Sequence, residues 1–232
     1  LDLRAGQITG LAGVSGNGQA ALSDLISGLI APSSGSMELH GQAPQGWSPR
    51  SAIANGVARI PEDRHKTGTI ADFDLTENAI LETYATRFSK RGWLDWSGAR
   101  AFAQKLIEGY DIRCPGPDIR IRLLSGGNMQ KLILGRVLDG APDLILANQP
   151  VRGLDIGAVN YVHEQLAKAR DRGAAVLLIS EDLDEIMRLS DVIHVISEGR
   201  LSPEFARGTM RPEDLGRWMA GEGFDKGMTD AA

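Results

Sequence analysis

Two glycine-rich turns carry the residues best suited to chemistry, and the chemistry they suit is phosphate binding; taken alone, the first reads equally as a turn for close helix packing and the second as a capped helix packed on a strand. In the first, GVSGNGQA, Gly13 and Gly18 hold the glycine positions of a phosphate-cradling G-x-x-x-x-G-K-[ST] loop, with Ser15, Gly16 and Asn17 between them. Such a loop offers backbone N–H groups to phosphate oxygens, while its lysine and hydroxyl residue supply charge and a Mg²⁺ ligand. Gln19 replaces the lysine and Ala20 the hydroxyl residue, so the cradle is present and its charge is missing. In the second turn, Ser125-Gly126-Gly127 opens a helical pattern. Ser125 is a good N-cap, and the two glycines let a phosphate approach the N–H groups at the positive end of the helix dipole. A dinucleotide fingerprint fits the first turn poorly. Gly13-x-x-Gly16-x-Gly18 reverses the spacing of G-x-G-x-x-G, and the closest acidic candidate, Glu38, sits inside a strand-like SMELHG hairpin.

Elements able to hold these turns surround them. The pattern predicts a strand over Gln7–Ala12 and a helix over Ala20–Leu29, stopped by Gly28 and Pro32. Ser36–Leu39 with the His40-Gly41 turn, a helix from Pro49 to Asn55 and a strand Val57–Ile60 form a β-rich segment near residues 36–60. From Thr76, read as an N-cap with Glu77 in the first turn, the pattern is mostly helical: Glu77–Thr83, Ser97–Tyr110, then the helix after Ser125 with Leu132, Ile133, Val137 and Leu138 at helical spacing. Leu144–Ala147 and Ala174–Ile179 are continuous apolar runs of the kind buried on both faces of a parallel sheet. The first ends at Asn148-Gln149-Pro150, with the turn Gly153-Leu154-Asp155 following, and the second at Ser180-Glu181-Asp182. Between them, Ile156–Arg172 reads as an amphipathic helix with Val159, Val162, Leu166 and Ala169 on one face. A hairpin, Val192–Ser197 with Arg200–Leu201, and a helix Arg211–Met219 complete the pattern. Leu1–Arg4 reads as the end of a strand, and the abrupt start as a piece of a longer polypeptide.

Composition narrows the partners. The chain has 232 residues, 42% apolar and 24% charged, enough for one large or two small domains without staples. A net charge of −5 argues against nucleic acid as the main partner. The single cysteine, Cys114, excludes an internal disulfide framework and reads as a small packing residue. Apolar runs fall far short of the ~18–20 residues a membrane-spanning helix needs, so a membrane would be reached through a partner. Trp93 and Trp96, in RGWLDW, read either as an exposed docking side or as core aromatics.

LSGGNMQK, about twenty residues, an apolar strand and then P-x-R-G-L-D together resemble the signature-to-D-loop segment of ATP-binding cassette (ABC) ATPases. Within that superfamily the chain looks most like the fused two-cassette ATPases of simple-sugar and nucleoside importers, and the resemblance covers nearly its entire length. ANQP (147–150), RGLD (152–155) and SEDLDE (180–185) carry it further, and PEDR (61–64), LDW (94–96) and ISEDLDE (179–185) together lean to the nucleoside branch. The resemblance implies an α/β fold: a P-loop NTPase, ABC-type core with an antiparallel β segment and an inserted α-helical subdomain. It implies one nucleotide-binding domain over 1–232, with the core at about 1–71 and 139–232 and the helical subdomain at about 72–138.

It also implies roles. Asn148 stands at the metal-side aspartate, Gln149 at the water-polarising glutamate and Glu181 at the switch histidine, so with Gln19 and Ala20 every charged catalytic role is removed or reversed. The signature is complete. Ser125, Gly126 and Gly127 are expected to cap the γ-phosphate of an ATP held by a partner cassette, with Arg152 and Asp155 near that interface. The implied cofactors are ATP and, at the partner's site, Mg²⁺, with no metal ligand from this chain. The implied partners are the N-terminal cassette of the same polypeptide, transmembrane permease subunits and, indirectly, an extracytoplasmic substrate-binding protein, at the cytoplasmic face of the membrane. The isolated domain is expected not to hydrolyse ATP. Two other readings stand beside this one. One is a soluble, non-transport cassette protein that dimerises on nucleotide in repair or translation, which would bring coiled-coil arms or basic extensions that the chain lacks. The other is a purely structural interaction module.

Overall fold

The computed structural model describes residues 1–226. In chain order the elements begin with β1 (Ile8–Ala12), α1 (Gln19–Ile26), α2 (Pro49–Ala54), β2 (Val57–Ile60), α3 (Leu75–Ala79), β3 (Ser89–Lys90) and β4 (Trp93–Leu94). There follow α4 (Trp96–Gly109), α5 (Gly126–Leu138), β5 (Leu144–Asn148), α6 (Ile156–Asp171), β6 (Ala175–Ser180) and α7 (Leu183–Leu189). Last come β7 (Val192–Ser197), β8 (Arg200–Leu201), β9 (Phe205–Ala206), α8 (Pro212–Met219) and α9 (Glu222–Lys226). The chain divides into two units, one of residues 1–59, 142–149 and 166 onward, the other of 60–141 and 150–165.

The first unit is built on strands that show no polar alternation because both their faces are covered. β1, β5, β6 and β7 are buried along their whole length. The sheet runs β2-β5-β6-β1-β7-β8, with β9 also on β7. β1 is parallel to β6 and β7, and β5 is parallel to β6, whereas β8 and β9 close antiparallel on β7. Leu11, Ile26, Val57, Leu146, Leu177 and Ile196 form its core. The register sets Ala12 beside Ser180 and Asn148 beside Ile179, so three strands deliver their C-terminal ends to one edge. Ligands of open parallel sheets bind at that edge.

The second unit is helical. α3, α4 and α5 close around Leu75, Phe88, Phe102, Leu106, Ile121, Met129 and Leu132. Its only regular strands are the short antiparallel pair β3–β4. Trp93 is 82% and Trp96 52% exposed, which removes them from the core and leaves them on the surface.

Several local expectations change. Ser36–Leu39 forms no strand, and the hairpin reduces to one bridge between Leu39 and Gln42 around a turn with His40 at φ 53° and Gly41 at φ 73°. Leu39 and Gln42 exchange both backbone hydrogen bonds, so the next bonded pair would be residues 37 and 44. Residue 44 is Pro44, which has no N–H to donate. Leu1–Arg4 lies outside any strand. The helix expected from Thr76 is α3, which starts earlier and ends at Ala79. Asp74, not Thr76, is its cap, in a reciprocal box with Glu77. α1 stops at Ile26, short of Leu29, with Gly28 at φ 75° just beyond it. α7 went unpredicted, although Asp182 caps it with Asp184 and Glu185 in its first turn.

Candidate nucleotide loop and signature turn

The loop between β1 and α1 lies at the C-terminal edge of the sheet, and its glycines have separate causes. A Cβ on Gly13 would sit 2.6 Å from Gln19 Nε2 and 2.7 Å from the Ile196 carbonyl oxygen, so no side chain fits there. Gly18, at φ 115°, occupies backbone that L side chains rarely adopt and packs beside Gly199. Gly16, at φ 90°, faces open space. Val14, Ser15 and Ala20 are exposed, whereas Gln19 is buried at 8%.

Gln19 turns its carboxamide onto the loop itself. Its Nε2 donates to the Val14 carbonyl at 2.9 Å, and its Oε1 accepts the Asn17 N–H at 3.1 Å. One of the backbone donors between the loop glycines is therefore bonded to this side chain. Asn17 ties the loop to the β7–β8 turn: its Oδ1 accepts the Glu198 N–H at 3.0 Å and its carbonyl accepts the Gly199 N–H at 2.9 Å. This support is invisible along the chain, because Asn17 and Glu198 are 181 positions apart.

Beside the loop, Asn148 ends β5 and is buried at 7%. Gln149 follows at φ 48°, in left-handed backbone, and donates its N–H to the Ile179 carbonyl at 2.8 Å. Glu181 is exposed at the end of β6. Behind it a buried pair that sequence reasoning missed joins Ser180 Oγ to Glu185 Oε2 at 2.6 Å. The first unit thus gathers Gly13, Ser15, Gly16, Asn17, Gly18, Gln19, Ala20, Asn148, Gln149 and Glu181. This set offers backbone N–H groups and carboxamides but neither a cation nor a hydroxyl at the positions where Mg·ATP needs them, and it adds a carboxylate. It does not fit that cofactor. No cluster of three or more His, Cys, Asp or Glu side chains placed to hold a metal occurs among the described residues.

Ser125, Gly126, Gly127 and Asp155 lie in the second unit. Ser125 caps the thirteen-residue α5, its Oγ accepting from Asn128 N–H at 3.4 Å and from Asn128 Nδ2 at 3.0 Å. These bonds use the oxygen's lone pairs and leave its proton to donate. The N–H groups of Gly126 and Gly127 open the helix, where no intrahelical acceptor exists. Asp155 Oδ1 accepts the Ala158 N–H at 2.9 Å at the start of α6, and a Cβ on Gly127 would lie 3.4 Å from Ala158 Cβ and 4.0 Å from Asp155 Oδ2. The signature turn and the end of the RGLD turn are therefore neighbours within this unit. Arg152, exposed, pairs with Glu62.

A Gly-rich strand-to-helix loop at the C-terminal edge of a parallel sheet, together with a helical unit headed by a Ser-Gly-Gly cap, defines a P-loop ATPase fold of the cassette type. Solved structures share it. A nucleotide-free ATP-binding cassette from an ABC transporter superposes with a TM-score of 0.76 at 18% identity, over 94% of this chain and 90% of that one. An ATP-binding subunit of an ABC transporter gives 0.74 at 20% identity, over 95% and 90%. The family model described as ABC transporter matches residues 1–152, and the chain belongs to that family. It is 45% identical to the guanosine import ATP-binding protein NupO of Bacillus subtilis, over 95% of this chain and 44% of that protein. It is 43% identical to the nucleoside import ATP-binding protein NupA of Lactococcus lactis, with the same coverage, and 34% identical to a ribose import ATP-binding protein of a Jannaschia species, over 96% and 43%. The chain thus spans less than half the length of the curated relatives it matches. No helix among the described residues is long and apolar enough to cross a membrane.

Proposed function

We propose that this chain is the catalytically degenerate second cassette of an ABC importer for simple sugars or nucleosides, and that it acts by completing an ATP site held by a partner cassette. The import ATP-binding proteins it resembles support the transport role. The contrast between its two glycine turns supports the division of labour, and the observation that carries it is the Gln19 side chain bonded to Val14 and Asn17 of its own loop.

Hydrogen bonds to charged groups contribute about 1.5–3 kcal/mol each. Loss of the lysine and hydroxyl contacts thus weakens the chain's own site by about 3–6 kcal/mol, or about two to four orders of magnitude in affinity. The Gln19–Asn17 bond must also break before that N–H can meet a phosphate. With Asn148 and Gln149 in place of carboxylates and Glu181 adding negative charge, this loop does not support hydrolysis. The signature turn keeps its donors: the Ser125 hydroxyl and the Gly126 and Gly127 N–H groups hold the terminal phosphate of the partner's ATP, with Asp155 beside them. Mg²⁺ belongs to that partner site. The second unit is the helical subdomain that docks on transmembrane permease subunits, the first the nucleotide core, and the assembly sits at the cytoplasmic face of the membrane.

Calorimetric titration of this chain with Mg·ATP, and turnover by the chain alone, test the first half of the proposal. The expected results are no saturation in the micromolar range and no hydrolysis above background. Hydrolysis by the chain alone that Ser125→Arg abolishes would defeat it.

A further inference from the structure

Building on the reading that the signature acts on a partner's ATP, we propose that Arg64 is the positioning residue of the signature. Its guanidinium holds the signature turn and the Arg152–Gly153 turn in one arrangement. Arg64 opens a π-helical turn, Arg64–Gly68, fixed at both ends. Asp63 Oδ1 accepts the His65 and Lys66 N–H groups at 2.9 and 3.0 Å, the Asp63 carbonyl accepts from Thr67 and Gly68, and Thr69 Oγ1 donates to the Arg64 carbonyl at 2.8 Å. From this base the side chain reaches the other loop. Nη1 donates to the Arg152 carbonyl at 2.7 Å and Nη2 to the Gly153 carbonyl at 3.4 Å. The same guanidinium lies against the first residue of α5, where a Cβ on Gly126 would be 3.0 Å from Nη2 and 3.1 Å from Nε.

The buried Nε has no hydrogen-bond partner, so the placement favours contact with the turn over satisfaction of every donor. A planar fork bonds two successive carbonyls and lies against a glycine at once, whereas a lysine offers one point charge on a flexible stem. The Glu62–Arg152 pair is a second tie between the same two segments. Gly126 accordingly serves two ends: it exposes an N–H, and it leaves room for Arg64. Arg64 touches no phosphate in this account. It acts by keeping Ser125, Gly126, Gly127 and Asp155 in register.

The test compares Arg64→Lys, which keeps the charge and loses the fork, with wild type in two settings. In hydrogen exchange on this chain, the hydrogen-bonded amides of Asn128, Met129, Leu154 and Ala158 should exchange at least about tenfold faster while those of α4 and β6 stay unchanged, a local pattern that general destabilisation would not give. In the full two-cassette polypeptide with its permease, kcat should fall between about ten- and a hundredfold, the order expected for a displaced but intact group, with a smaller change in KM. Arg64→Gln provides the second variant should Arg64→Lys not fold. Wild-type exchange in both turns together with wild-type kcat overturns the proposal. Ser125→Ala in the same polypeptide separates the two levels. If it leaves turnover unchanged, the partner-site reading fails, and the exchange data alone decide whether Arg64 holds the turns.

Discussion

Gln19 shows how one substitution changes a loop without changing its path. The glycines at 13 and 18 were legible in the sequence, and each has a steric reason in the structure. The inward fold of Gln19 was not legible, since it depends on a carbonyl five residues back and an N–H two residues back that only the closed turn brings within reach. Gly13 is where this packing is least tolerant. Gly13→Ala places a methyl group 2.6 Å from Gln19 Nε2 and 2.7 Å from a backbone carbonyl. Overpacking of this kind costs about 1–3 kcal/mol, which urea unfolding will show as a lower midpoint. An unchanged midpoint would mean that the loop and the β7 end yield freely, and the contact between them would then be unimportant.

At the scale of elements, the long apolar strands and the three long helices α4, α5 and α6 were readable because burial and helical spacing repeat within them. The short pieces were not. α3 has a textual signal in Asp74-x-x-Glu77, but Thr76 beside it is an equally acceptable cap by composition, and only the reciprocal hydrogen bonds distinguish them. The SMELHG hairpin fails on bonding parity, which would set Pro44, with no N–H, opposite residue 37. The turn at Arg64–Gly68 has no apolar periodicity to mark it, because RHKTG is polar throughout. Its cap gives it a pH dependence. The backbone N–H of Lys66, and after it that of His65, hold the Asp63 carboxyl below its usual value of 3.8. A carboxylate with a lowered native pKa adds stability that is fully present above the unfolded value and is lost as pH falls through the native one. Protection of the His65 and Lys66 amides should therefore be constant above about pH 5 and fall below about pH 4. Asp63→Asn should remove that dependence, and a titration unaltered in the variant would assign it to another group.

Across the whole molecule, the buried strands and the mostly helical stretch between them were readable from patterns along the chain, and the resemblance to cassette ATPases joined them into an α/β fold with a helical insertion. The strand order did not. β1 takes its neighbours from β6 and β7, more than 160 residues away, and no local preference records that pairing. The candidate residues likewise fall into two groups that sequence order obscures. ANQP continues directly into VRGLD along the chain, yet Asn148 and Gln149 close the sheet edge of the first unit while Arg152 and Asp155 belong with the signature turn of the second. A single run of residues thus carries a position stripped of its carboxylates and, a few residues on, a turn whose contacts are intact. That division supports the proposal of one competent site and one silent one.

The most direct test is steady-state ATP turnover of the proposed two-cassette polypeptide with its permease, comparing Ser125→Ala with Gln19→Ala. Removing one hydrogen bond to a charged phosphate corresponds to a loss of about 1.5–3 kcal/mol, so Ser125→Ala should slow turnover by about ten- to a hundredfold. Gln19→Ala should leave the rate within about twofold, a change worth less than about 0.5 kcal/mol. Comparable losses from the two substitutions would contradict the account.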